Sequence, residues 1–190
     1  MDNNNMRADN TFTGTKTGQN LMTAFGEEAK AYTKYKIYGL EAGDEGLPVI
    51  RRLFDKNAEN EREHAEVWLR YLGKVGNTEQ NLRTSSEGEA SDMENMYPEM
   101  ARVARDEGFD ELAEKFSLTA DVEARHKEEF EKALEGLATG DYYRGSANTV
   151  WQCLNCGLET RGNMPPERCP LCSYPRSYFV RLDCEYENDD

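Results

Sequence analysis

Four stretches of this chain repeat apolar residues at helical spacing, and each carries an acid inside its apolar stripe. Leu21, Phe25, Glu28, Tyr32 and Tyr35 step by three or four along the first, and Phe54, Ala58, Glu61, Ala65, Trp68 and Leu72 along the second. Glu89, Asp92 or Met93, Met96, Met100 and Val103 line the third. Leu112, Phe116, Thr119, Glu123, His126 or Lys127, Phe130, Leu134 and Leu137 line the fourth. A carboxylate at a core position is expensive without a partner, and several facing one another are untenable without cations between them. The pattern therefore requires inward-facing helices packed around metal.

Two of the acids belong to Glu-x-x-His motifs, Glu61 with His64 in "EREH" and Glu123 with His126 in "EARH", and these use both histidines of the chain. An i, i+3 spacing sets both donors on one face of one turn. One such motif is weak evidence, because a solvated acid and a surface imidazole have the same spacing. Two of them on alternate helices, each in phase with its stripe, with acids on the remaining two, match the ligand pattern of helical bundles that bind two metal ions. Oxygen-rich ligation with one imidazole per ion suits iron or manganese better than zinc. Periodicity selects Glu28 over its neighbour Glu27, and Asp92 over Glu94. Tyr35 and Tyr97 fall within about two turns of these acids, near enough for a phenol to hydrogen-bond a ligand carboxylate, although core packing explains their spacing equally well.

The breaks between stripes order the helices. "EAGDEG" ends the first, Pro48 suits the first turn of the second, and Gly108 ends the third, in which Pro98 predicts a kink. The stretch from Gly73 to about Ser86 reads as a crossover rather than a tight turn. Short, long and short connections describe a mainly α, ferritin-like four-helix bundle with one long crossover. The expected division is a flexible arm over residues 1–15, the bundle over 16–140, a linker over 141–149, and a cysteine module with an acidic tail over 150–190.

That module contains Cys153, Cys156, Cys169 and Cys172 as two Cys-x-x-Cys turns, the spacing of a tetrahedral tetrathiolate metal site. Spacing leaves zinc and iron both open. The fifth cysteine, Cys184, lies outside the turns and reads as an unligated thiol. Confinement of all cysteines to this end favours metal ligation in a reducing compartment over disulfides.

A net charge of −14, from 23 Lys and Arg against 37 Asp and Glu, argues against nucleic acid and anionic membranes as partners. Neither a signal peptide nor a membrane span is apparent, and the expectation is a cytoplasmic protein.

The stretches "GTKTGQNLMTAFGEEAKAYTKY", "NAENEREHAEVW", "EGEASDMENMYPEMARVARDEGF", "ADVEARH", "WQCLNCG" and "PPERCPLC" occur in an order that resembles the rubrerythrin family. The resemblance implies a diiron peroxidase that reduces hydrogen peroxide, with a rubredoxin-like module whose four cysteines hold iron. It implies that Glu28, Glu61, His64, Glu89, Asp92, Glu123 and His126 ligate two non-haem irons, with Tyr35 and Tyr97 beside them. It also implies a homodimer and an electron donor such as a rubredoxin or an NAD(P)H-dependent reductase. Two departures stand out: Asp92 replaces the usual glutamate and is shorter by a methylene, and "FGEEAKAY" replaces "FAGESQAR". Competing readings are a ferroxidase or iron-handling protein, and a non-catalytic zinc-ribbon interaction protein.

Overall fold

A computed structural model describes residues 12–182, so residues 1–11 of the arm expected over 1–15, the acidic tail and Cys184 lie outside the described residues. The chain divides into two compact units, one up to Thr78 and one from Glu79.

The first unit is a hairpin of α1 (Lys16–Asp44) and α2 (Pro48–Tyr71). Thr15 caps α1, its Oγ1 accepting the Gly18 N–H at 3.0 Å, and Pro48 opens α2, where a missing N–H costs nothing. Small residues bring the two helices close: Gly39, Ala42, Ala58 and Ala65 are buried, and a Cβ at Gly39 would sit 3.5 Å from Phe54 Cβ. Tyr35 and Tyr38 pack on Phe54 with ring centroids 6.1 and 5.7 Å away. Lys36 reaches across to Asp55 at 3.3 Å, an exposed pair of modest worth.

The second unit begins with α3 (Thr78–Ser91), a π-helical turn (Asp92–Met96) and α4 (Tyr97–Asp106), which follow without a break, and returns as α5 (Asp110–Thr139). Helix therefore starts at Thr78 rather than near Ser86, and only residues 72–77 connect α2 to α3. The glycines of "GKVGN" are confined to this connector, while the polar run after Thr78 is a solvated helix with an Arg83 to Glu79 pair at 3.3 Å. The irregularity assigned to Pro98 takes the form of the π turn. Proline cannot donate to the Glu94 carbonyl and its ring would crowd that oxygen. The turn widens instead, and the Tyr97 N–H donates to the Asp92 carbonyl five residues back. Ala101, Ala104 and Ala113 form the buried contact between α4 and α5, with Tyr97 and Phe116 rings 6.3 Å apart. Gly140, at φ 68°, ends α5 in the left-handed conformation.

Three short strands close the second unit: β1 (Val150–Cys153), β2 (Glu159–Arg161) and β3 (Phe179–Arg181), antiparallel in the order β2–β1–β3. Trp151 pairs with Thr160 on one side and Arg181 on the other, and Cys153 pairs with Phe179. Trp151, Cys153, Cys169 and Phe179 are the buried core, and the Trp151 indole donates to the Gly162 carbonyl at 2.8 Å. So small a core, half of it cysteine, needs a metal to hold its shape.

Each Cys-x-x-Cys turn is built the same way. Gly157 N–H donates to the Cys153 carbonyl and Ser173 N–H to the Cys169 carbonyl, both at 2.8 Å. Gly157 at φ 75° and Ser173 at φ 60° occupy the matching left-handed position. A Cβ at Gly157 meets nothing within 4 Å, so Gly157→Ala carries only the conformational cost, about 1 kcal/mol. Ser173→Gly relieves the same strain in the other turn, less the entropy that glycine adds to the unfolded chain, for a gain of roughly 0.5 kcal/mol. Denaturant melts of the metal-loaded protein should order the three as Ser173→Gly, parent, Gly157→Ala. No described helix is long and apolar enough to cross a membrane.

Candidate metal centres

The predicted metal-binding acids and histidines gather into two equivalent groups, one in each unit. In the first, α1 presents Glu28 and α2 presents Glu61 and His64. His64 Nδ1 lies 2.9 Å from Glu61 Oε2 and 3.9 Å from Glu28 Oε1. In the second, α3 presents Glu89 and α5 presents Glu123 and His126, with His126 Nδ1 2.7 Å from Glu123 Oε2. One ligand atom from each member of a group lies within 4.8 Å of the others. The repetition follows from the shared i, i+3 spacing, which sets the imidazole one turn above its glutamate.

The carboxylates lean into their helix pairs while the imidazoles face outward. The Glu123 side chain is 15% exposed and Glu61 21%, whereas His126 is 45% and His64 56%. Burial, followed by a hydrogen bond and charge repulsion from Glu123, pushes the Glu89 carboxyl above the ordinary range, with Asp92 adding to it and His126 opposing it. Two acids in contact at a half-buried position are the arrangement a cation relieves. Asp92 lies outside both groups, at the start of the π turn, where its charge still reaches Glu89. Tyr35 and Tyr97 pack against Phe54 and Phe116 respectively.

The cysteines form the third group. Cys153 Sγ is 3.7 Å from Cys172 Sγ, and Cys156 Sγ is 3.6 Å from Cys169 Sγ. A tetrahedral ion with metal–sulfur bonds near 2.3 Å requires edges of about 3.8 Å, whereas a disulfide requires about 2.05 Å. All four cysteines are free, so the cluster fits a tetrathiolate metal site. Its surroundings favour the charged form at one corner: the Tyr174 N–H, with the Asn155 side chain, brings Cys172 down to about 6 against the opposing effect of burial. At the opposite corner the Leu158 N–H lowers Cys156, but burial and hydrogen bonding with Cys172, Cys169 and Cys153 outweigh it and push that thiol up to about 12. A bound cation replaces the shared protons.

Sequence reasoning overlooked these supporting groups, though a signal exists. Leu158 and Tyr174 each follow the second cysteine of their turn by two residues, and the intervening Gly157 and Ser173 take the positive φ that turns that N–H toward sulfur.

Comparison with known proteins agrees with this geometry. The family model described as Rubrerythrin matches residues 19–134 and 80–151, and that described as Rubrerythrin, rubredoxin-like domain matches 151–180. Rubrerythrin-1 of Clostridium acetobutylicum is 33% identical over 190 residues, covering 91% of this chain and 97% of its own. Rubrerythrin of Clostridium perfringens is 34% identical over 183 residues, covering 87% and 94%. Among solved structures, partially reduced nigerythrin aligns over 93% of this chain and 92% of its own with 25% identity and a TM-score of 0.35. With ferritin-like and rubredoxin-like domains, a tetracysteine iron-type site and two diiron-type Glu/His ligand groups, the chain belongs to the rubrerythrin family.

Proposed function

We propose that this protein is a peroxidase that reduces hydrogen peroxide to water at an iron pair and draws its electrons through the tetracysteine iron. The observation that carries the reading is the coexistence of two Glu-x-x-His groups with a redox-capable four-sulfur site in one chain. Glu28, Glu61 and His64 would hold one side of the pair, and Glu89, Asp92, Glu123 and His126 the other. When bound, an iron pair supplies one electron from each ion and Lewis acidity toward oxygen anions.

The protein's own groups do the rest. Five carboxylates would set five negative charges against four positive ones on a diferrous pair and six on a diferric pair, within one unit of neutrality either way, so the site would tolerate both oxidation states. Carboxylates free of a metal bond at a given moment accept and release protons at their Oε or Oδ atoms. Tyr35 and Tyr97, whose rings pack on Phe54 and Phe116, would offer their hydroxyls to the ligand carboxylates. Each turnover breaks one O–O bond, consumes two electrons and two protons, and releases two waters. The electrons return singly through Cys153, Cys156, Cys169 and Cys172, from a rubredoxin or an NAD(P)H-dependent reductase acting as donor.

Stopped-flow mixing of the reduced protein with equal concentrations of peroxide or dioxygen tests the assignment. Oxidation at least about tenfold faster with peroxide is expected, and equal or slower oxidation would remove peroxide as the substrate.

A further inference from the structure

Where α5 ends beside the sheet, the second unit holds a cavity of about 660 Å³. Lys132 and Gly136 of α5 line it, with Trp151, Phe179 and Arg181 of the strands and Tyr142 of the connecting turn. Its volume lies within the roughly 300–1,000 Å³ of small-molecule and cofactor sites. A Cβ at Gly136 would lie 3.1 Å from Tyr142 Cδ2, so a glycine, otherwise unfavourable within a helix, gives the Tyr142 ring room to approach α5. That ring meets Tyr143 edge to face with centroids 5.5 Å apart and is 46% exposed, which leaves aromatic surface open to a ligand.

The cavity adjoins the four-sulfur cluster. Phe179 pairs with Cys153 across the strands, and Trp151 precedes Cys153 by two residues, about 7 Å along β1 on the same face of the sheet. Both rings are almost completely buried, so one layer of aromatic side chain separates a molecule in the cavity from the Cys153 sulfur. The polar lining carries both signs. Lys132 forms no ion pair among the described residues, and Asp141 is taken by Arg144 at 3.0 Å. Glu129 and Glu135 add carboxylate acceptors, and Arg181, which also donates to the Arg144 carbonyl at 3.4 Å, adds a guanidinium.

A ligand matched to this lining is a flat heteroaromatic ring with both N–H donors and carbonyl acceptors, and with an anionic tail for Lys132. Beside an iron that changes charge by one, it must also release electrons singly, whereas a nicotinamide transfers hydride. Flavin mononucleotide meets each requirement. We propose, resting on the reading of the cysteine cluster as a redox iron, that this cavity binds reduced flavin mononucleotide, which supplies the tetracysteine iron directly. Arg181 donates to a ring carbonyl, Glu129 or Glu135 accepts from a ring N–H, and Lys132 pairs with the phosphate. The flavin hydroquinone anion gives up two electrons in single steps and releases its N5 proton to water. Each electron converts one ferric tetrathiolate to ferrous with no bond made or broken at sulfur, and two such steps supply the two electrons of one peroxide.

Titration of flavin mononucleotide with the full-length protein as purified, followed by quenching of flavin fluorescence, tests the site. Saturable quenching is expected, and Ala133→Trp, which fills the cavity, and Lys132→Glu, which reverses its cation, should each weaken binding at least about tenfold. The red colour of the tetracysteine iron reports folding in both variants, and Lys132 is exposed, so its replacement leaves the fold intact. Anaerobic stopped flow with photoreduced flavin mononucleotide then follows bleaching of that colour. The rate should level off with flavin concentration in the parent and rise linearly in Ala133→Trp, where only collisions remain. Absence of quenching, equal affinity in the parent and both variants, or a linear rate in the parent would overturn the cavity assignment. A colourless protein with zinc on its cysteines would overturn the iron reading instead, and with it the electron path, even where flavin binds.

Discussion

Replacing Cys153 and Cys169 by serine should abolish reductase-driven peroxide turnover while sparing a single turnover of the chemically reduced protein. Both sulfurs are buried beside Trp151 and Phe179, and each is paired across the cluster at 3.6 to 3.7 Å. Their loss removes half the ligand set and unravels a module with little other core. Steady-state rates should fall more than about a hundredfold. Oxidation of the pair by one equivalent of peroxide, followed by stopped flow, should change less than about twofold, because the pair's ligands lie on the helices. Equal loss in both assays would mean that the cysteine module shapes the peroxide site rather than feeding it. Retention of turnover would mean that electrons enter by another route.

Glu123→Ala should have an opposite effect on the metal-loaded and metal-free proteins. Glu123 sits between His126, 2.7 Å away, and Glu89, to which it is hydrogen-bonded. With metal, its loss removes an oxygen ligand and releases the imidazole it orients, and activity should drop more than about a hundredfold with at least one iron of the pair lost. Without metal, its loss relieves repulsion with Glu89, and the helical unfolding temperature of the apoprotein should rise by a few degrees. Calorimetry of both forms checks this. A variant less stable in both forms would mark Glu123 as a structural residue.

How much was readable from sequence follows from what periodicity measures. Of the seven proposed ligands of the pair, Glu28, Glu61, Glu89, Asp92, Glu123 and His126 stand on the apolar stripes and His64 follows from its motif with Glu61, and the folded chain gathers all of the seven but Asp92 into two groups. Phase also separated Glu28 from Glu27, because neighbouring residues on a helix point about 100° apart. Connector boundaries were less legible. Thr78 to Ser86 is polar and follows two glycines, so it reads as loop, yet a solvated helix has the same composition when its side chains pair along its own surface. The π turn at Asp92 was legible only as a proline effect. A kink and a widened turn are alternative responses to one missing N–H, and sequence does not choose between them. Cys-x-x-Cys spacing specified the tetrahedron and not its metal, since zinc and iron share that geometry and nearly the same bond length.

One chain supplies the ligand groups of an iron pair and the four cysteines of the iron proposed to serve it. Metal analysis of protein purified without added metal, read together with its visible spectrum, tests this most directly. About three irons per chain are expected, two on the Glu/His groups and one on the cysteines, with the red colour of a ferric tetrathiolate that bleaches on reduction and returns on adding peroxide. A colourless protein with zinc on the cysteines and no metal on the helices would contradict it.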